Sequence, residues 1–192
     1  MRSKQIPAPV FILSLMAAIL IALFVLGKMA PESAADTQDR QIRSSLSQIE
    51  VPPIEGEAAD GSTFRLSDHK GKVVLLNFWA TWCGPCILEI PDLIALQNQY
   101  GPQGFVVVGL AAEQDPDPKS ALETIRTFAA QKKLNYPVLV LPEGVRGPFG
   151  GVAALPTSFL INREGKVVYA AEGVDPAKSP RDVWAPEIEK AL

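Results

Sequence analysis

Apolar positions along this chain fall into three patterns. The first is unbroken: Val10 to Leu26 holds one polar side chain, Ser14, and no charge, and it follows Arg2 and Lys4. A helix rising about 1.5 Å per residue needs roughly 17 to 25 residues to cross a bilayer core. The run therefore predicts a transmembrane signal-anchor over 10–27 behind a basic cytoplasmic tail, 1–9. A cleaved signal, processed near Ser33-Ala34-Ala35, is the alternative. Both readings keep the basic end in the cytoplasm and export the remainder, so the expected location is the inner (cytoplasmic) membrane with the domain on its periplasmic side. Residues 28–50 are polar, with scattered Ile42, Leu46 and Ile49, and read as a linker with room for a short helix.

The second pattern is the short apolar run. Val73 to Trp79 is interrupted only by Asn77, and Phe105 to Leu110 repeats it, as expected of strands buried on both faces. Ile54–Glu57 and Thr63–Leu66 flank Asp60-Gly61 as a hairpin. Val138–Leu141, Thr157–Ile161 and Lys166–Ala171 read as further strands, the last two joined by a turn at Asn162–Gly165. The third pattern is helical. Over 118–133, Leu122, Ile125 and Ala129 share a face; Pro118 sits behind Asp117, with Ser120 and Glu123 as an alternative cap. Another helix ends near Tyr100-Gly101, kinked at Pro91. Pro176, Pro180 and Pro186 predict only short helical pieces at the C-terminus. The order predicts an α/β domain over 51–192, a mixed central sheet flanked by helices with an N-terminal β-hairpin extension.

Composition narrows the function. With 47% hydrophobic and 20% charged residues the chain is no disordered polymer. Its net charge is −3, or −5 once Arg2 and Lys4 are set aside, which excludes a nucleic-acid binder. Two cysteines and one histidine exclude a zinc site built from those residues alone. No metal and no cofactor is expected. His69 reads as a solvated loop residue.

The chemistry lies in Trp82-Cys83-Gly84-Pro85-Cys86. Helical neighbours at i and i+3 have Cβ atoms about 5–6 Å apart, a modest adjustment from the roughly 3.5–4.5 Å of a disulfide. Such a bridge closes a tiny loop and restricts the unfolded chain very little, so it is better explained as a working redox couple. A helix start favours the thiolate of Cys83. Pro85 removes no helical hydrogen bond there. Trp82 offers a client chain an apolar surface, and Cys86, one turn deeper, is the resolving thiol.

The segment Asn77 to Cys86 resembles the active site of the thioredoxin superfamily, and Leu155-Pro156-Thr157 resembles its cis-proline loop. Gly71–Leu76 and Phe159–Gly165, together with the export signal, look like the membrane-anchored TlpA-like branch, which includes thiol reductases of cytochrome c maturation. The likeness covers about Val51 to Ala171. It implies a thioredoxin-like fold, Pro156 in cis against the disulfide, and Leu155 pairing its backbone with a client. Asn77 stands where thioredoxins commonly carry a buried Asp, so that proton acceptor is missing. Glu89 matches an acid found near the site in the TlpA-like branch. The resemblance implies a protein-disulfide reductase acting on oxidised clients, such as apocytochrome c or copper-site assembly proteins, and recharged by an integral-membrane thiol carrier. A dithiol oxidant, an isomerase and a copper-binding chaperone using the two soft thiolates are the alternatives.

Overall fold

The fold is built around a central strand with sheet neighbours on both sides. A computed structural model describes residues 34–192; the expected tail 1–9 and membrane segment 10–27 lie outside them. Among the described residues no helix is long and apolar enough to cross a membrane. Strand β3 (Val73–Trp79) is buried at all seven positions. Side chains alternate across a strand, so Val73, Leu75 and Trp79 enter one core and Val74, Leu76 and Phe78 the other. Asn77 falls on the first of these faces.

Four further strands flank it: β4 (Phe105–Ala111), β5 (Val138–Val140), β6 (Thr157–Ile161) and β7 (Val167–Glu172). The order is β5-β4-β3-β6-β7. Strands β4 and β5 run parallel to their neighbours, β6 and β7 antiparallel, so the sheet is mixed as expected. The predicted hairpin forms from β1 (Glu55–Glu57) and β2 (Thr63–Arg65). It protects the outer edge of β5 through an Ala58–Leu139 bridge and an Ala59 N–H donating to the Val138 carbonyl at 2.8 Å.

The helices obey their caps. Helix α1 (Ala34–Leu46) occupies part of the stretch read as a linker. The compact unit begins at Gln41, and within it Arg43 reaches the Val168 carbonyl and Glu187. Helix α2 (Gly84–Tyr100) runs through Pro91, which faces solvent. Helix α3 (Pro118–Lys132) takes its cap from Asp117, whose carboxylate accepts from the Lys119 and Ser120 amides, so Ser120 is not the cap. Its inward face is Ala121 and Ile125, with Leu122 half-buried.

Two expectations are corrected. The C-terminus is not short helical pieces but one helix, α4 (Pro180–Ala191). Ser179 caps it and Pro180 sits at the first turn, where a missing N–H is harmless. Pro186 lies inside, a position that costs about 3 kcal/mol in an isolated helix. Burial of Trp184 and Ile188 against the sheet and α2 offsets that cost. His69 is not a freely solvated side chain: its ring is half-buried and stacks on Phe64 at 5.0 Å. Desolvation holds its pKa below the usual histidine value, reinforced by the Lys72 charge.

Close packing behind the site rests on one glycine. A Cβ on Gly109 would stand 2.9 Å from Trp79 Nε1 and 3.2 Å from a Val138 methyl. The indole is backed by Phe128 at 5.3 Å, which limits its room to move aside. Gly109→Ala is therefore expected to destabilise the fold by about 1–3 kcal/mol. Urea unfolding checks this; an unchanged midpoint would contradict it.

Candidate active site

Strand β3 ends at Trp79 and the chain passes through Ala80-Thr81-Trp82 to the start of α2. The Glu113 carboxylate, beyond the end of β4, fastens this short loop. It accepts from the Thr81 amide at 2.9 Å and the Thr81 hydroxyl at 2.8 Å. Cys83 then occupies the cap position of α2, and its Sγ accepts from the Cys86 amide at 3.3 Å. That N–H and the helix dipole favour negative charge on this sulfur. Gly84 and Pro85 form the exposed first turn.

The two cysteines are joined in a disulfide with Cα atoms 5.3 Å apart. Their surroundings differ. Cys83 opens on a groove of about 580 Å³ lined by Trp82, Gly84, Pro85, Arg146 and Leu155 among others. Cys86 is completely buried. Trp82 is 54% exposed beside Cys83, an unusual setting for a large apolar ring. The Leu155–Pro156 bond is cis, and Pro156 is buried while Leu155 reaches the groove. The N–H and C=O of Leu155 take no hydrogen bond from the described residues. They form an open edge able to pair with an extended peptide.

Beneath the disulfide lies a polar cluster inside the apolar core. The buried stripe of α2 runs Cys86, Glu89, Ile90, Leu93, Leu96 and Tyr100, so helical spacing carries the Glu89 carboxylate to the sheet. There it meets Asn77, the polar member of β3 on the same face. Asn77 Nδ2 donates to Glu89 Oε1 at 2.6 Å and to Ser158 Oγ at 2.9 Å. Ser158 is brought opposite Asn77 by the antiparallel register of β3 and β6. Glu89 is 3% exposed, and burial raises its pKa to about 7; the Asn77 hydrogen bond works in the opposite direction and the Asp92 charge adds to the rise. Tyr136, also buried, has its pKa raised by desolvation and by the Glu89 charge. A second cleft, of about 370 Å³ between β7 and α4, has Glu89 in its lining.

Sequence reasoning did not single out Ser158, Glu113 or Arg146 for the site. Ser158 matters only through the β3–β6 register, and Glu113 only through a contact 32 residues distant. The burial of Glu89 did carry a signal, since the carboxylate occupies an otherwise apolar stripe at 86, 90, 93 and 96.

A carboxyl whose pKa is higher folded than unfolded binds its proton more tightly when folded. Its contribution to stability is complete below about pH 4.5 and disappears as pH rises through about 7. Across that window the oxidised wild-type protein is expected to lose up to about 3 kcal/mol relative to Glu89→Gln. Urea unfolding of both from about pH 4 to about pH 9, a span that brackets both pKa values, reads the difference. Parallel curves would show that Glu89 does not titrate there.

Comparisons with known proteins agree with this geometry. The Redoxin family profile matches residues 41–189. The thiol-disulfide oxidoreductase ResA of Bacillus thuringiensis subsp. konkukian is 36% identical over 124 residues, 65% of this chain and 68% of that protein. ResA of Bacillus subtilis is 36% identical over 132 residues, 68% of this chain and 70% of its own. Among solved structures, a thiol:disulfide interchange protein of the thioredoxin family from Chlorobium tepidum superposes with a TM-score of 0.63 at 30% identity, over 73% of this chain and 94% of that one. With the family profile spanning most of the chain and the disulfide at the head of α2, the chain belongs to the Redoxin family, within the TlpA-like thiol:disulfide oxidoreductases of the thioredoxin superfamily.

Proposed function

We propose that this protein is a membrane-tethered reductase of disulfides in extracytoplasmic client proteins. The observation that carries the reading is the asymmetry of the pair: Cys83 borders an open groove, while Cys86 is sealed beneath it beside a buried carboxyl. In the reduced protein the Cys83 thiolate attacks a client disulfide. A Cys83–client S–S bond forms, and the client's other sulfur leaves as a thiolate. Glu89, poised near neutral pH, takes the proton of the Cys86 thiol directly or through water. The Cys86 thiolate then attacks Cys83 Sγ, closing the internal disulfide and releasing the second client sulfur. Two electrons have passed to the client.

Trp82 and the free backbone of Leu155 hold the client chain extended across the groove, with Pro156 behind it. The substrate class favoured by the family resemblance is cysteine pairs of apocytochrome c or of copper-site assembly proteins. An integral-membrane dithiol carrier restores the reduced state, since an exported domain needs electrons delivered across the bilayer. The apolar run at 10–26, behind Arg2 and Lys4, supports the tether and the periplasmic placement of the domain.

Cys83→Ser is expected to abolish insulin reduction with dithiothreitol as donor, and retained turnover would refute the assignment. Cys86→Ala is expected to accumulate clients in mixed disulfides on Cys83, visible as bands that collapse on reduction. The full chain is expected to remain in the membrane pellet through an alkaline carbonate wash; release into the supernatant would remove the tether from the reading.

A further inference from the structure

Residues 41–192 contain six arginines. Five have partners: Arg43 with Glu187, Arg65 with Glu55, Arg126 with Glu57, Arg163 with three backbone carbonyls and Arg181 with Gln99. The sixth, Arg146, has no hydrogen bond or ion pair for its side chain among the described residues. It is half-buried, and it lines the groove that opens on Cys83. The groove's other charged residue, Glu113, already spends both oxygens on Thr81.

The backbone holds Arg146 in place. Gly150, Gly151 and Val152 have φ of 78°, 91° and 48°, which turns the chain sharply back toward Leu155. The Gly151 amide closes this bend on the Arg146 carbonyl at 2.9 Å. Val152, a β-branched residue in the left-handed region, is kept there by a side chain 6% exposed among Phe149 and Phe159. Arg146 and the open backbone of Leu155 therefore line one groove with Cys83.

We infer that Arg146 is a specificity-determining residue that favours clients carrying a carboxylate side chain close to the reacting cysteine. The inference rests on the client-groove reading above. A guanidinium matches a carboxylate with two parallel hydrogen bonds, and a partly desolvated one is screened less than a surface charge. The chain as a whole carries a net charge of −3, so its long-range field does not attract acidic clients. The preference is local to the groove.

The test uses the reduced full-length protein and three peptide disulfides that differ only in Asp, Asn or Lys two residues from the cysteine. In single-turnover reduction the Asp peptide is expected to react about fivefold faster than the Asn peptide, the size of a well-placed ion pair, and the Lys peptide slowest. Arg146→Lys should keep that order, Arg146→Gln should abolish it, and Arg146→Glu should reverse it. Equal rates for Asp and Asn in the wild type overturn the inference. So does a preference that survives in Arg146→Gln, including one in which all three peptides slow equally. Reduction of none of the three by wild-type protein defeats the reductase reading itself, and the inference with it.

Discussion

The Cys86 N–H pointing at the sulfur of Cys83 across 3.3 Å is the contact on which the rest of this structure converges. A thiolate needs a donor and a positive potential, and the first turn of a helix supplies both without any charged side chain. That geometry survives only if the helix start is held rigidly. Strand β3 does the holding from one side, because all seven of its residues are buried and tied to β4 and β6. The Glu113–Thr81 clasp does so from the other. The catalytic turn is thus an extension of the core rather than a loose loop.

Beneath that turn the core is deliberately polar. Asn77 links Glu89 and Ser158 by two side-chain hydrogen bonds in an otherwise apolar region. A buried carboxyl is tolerated because its proton stays on more readily, and Asn77 offers its amide to whichever form is present. The asparagine replaces a proton acceptor on the strand with a donor. The titratable group of the cluster is Glu89 on α2, one turn past Cys86. The burial that raises its pKa to about 7 also makes the folded state less stable at high pH.

The client side follows a different logic. Trp82, the open backbone of Leu155 and the Arg146 side chain are all left incompletely satisfied by the described residues. Elsewhere the protein satisfies such groups: arginines find carboxylates or carbonyls, and the β5 edge is covered by the hairpin. These unfinished contacts gather around one sulfur, and they support the proposal that a client polypeptide completes them there.

Short apolar runs and helical patterning in the amino-acid sequence determined the strands β3, β4 and β6, the hairpin and helix α3 almost to the residue, because runs of Val, Leu and Ile have few other ways to be buried. The cysteine spacing determined the chemistry, since two thiols one turn apart at a helix start have a geometry set by local backbone alone. What lay outside the sequence's reach depends on contacts between distant segments. Helix α4 continues through Pro186 because Trp184 and Ile188 are buried by partners that local propensity does not register. The state of Glu89 was decided by its burial between α2 and the sheet, and the place of Arg146 by the loop that brings it to the Cys83 groove. Burial and pairing across the sheet are tertiary quantities, and they decide which charged groups in this protein can act.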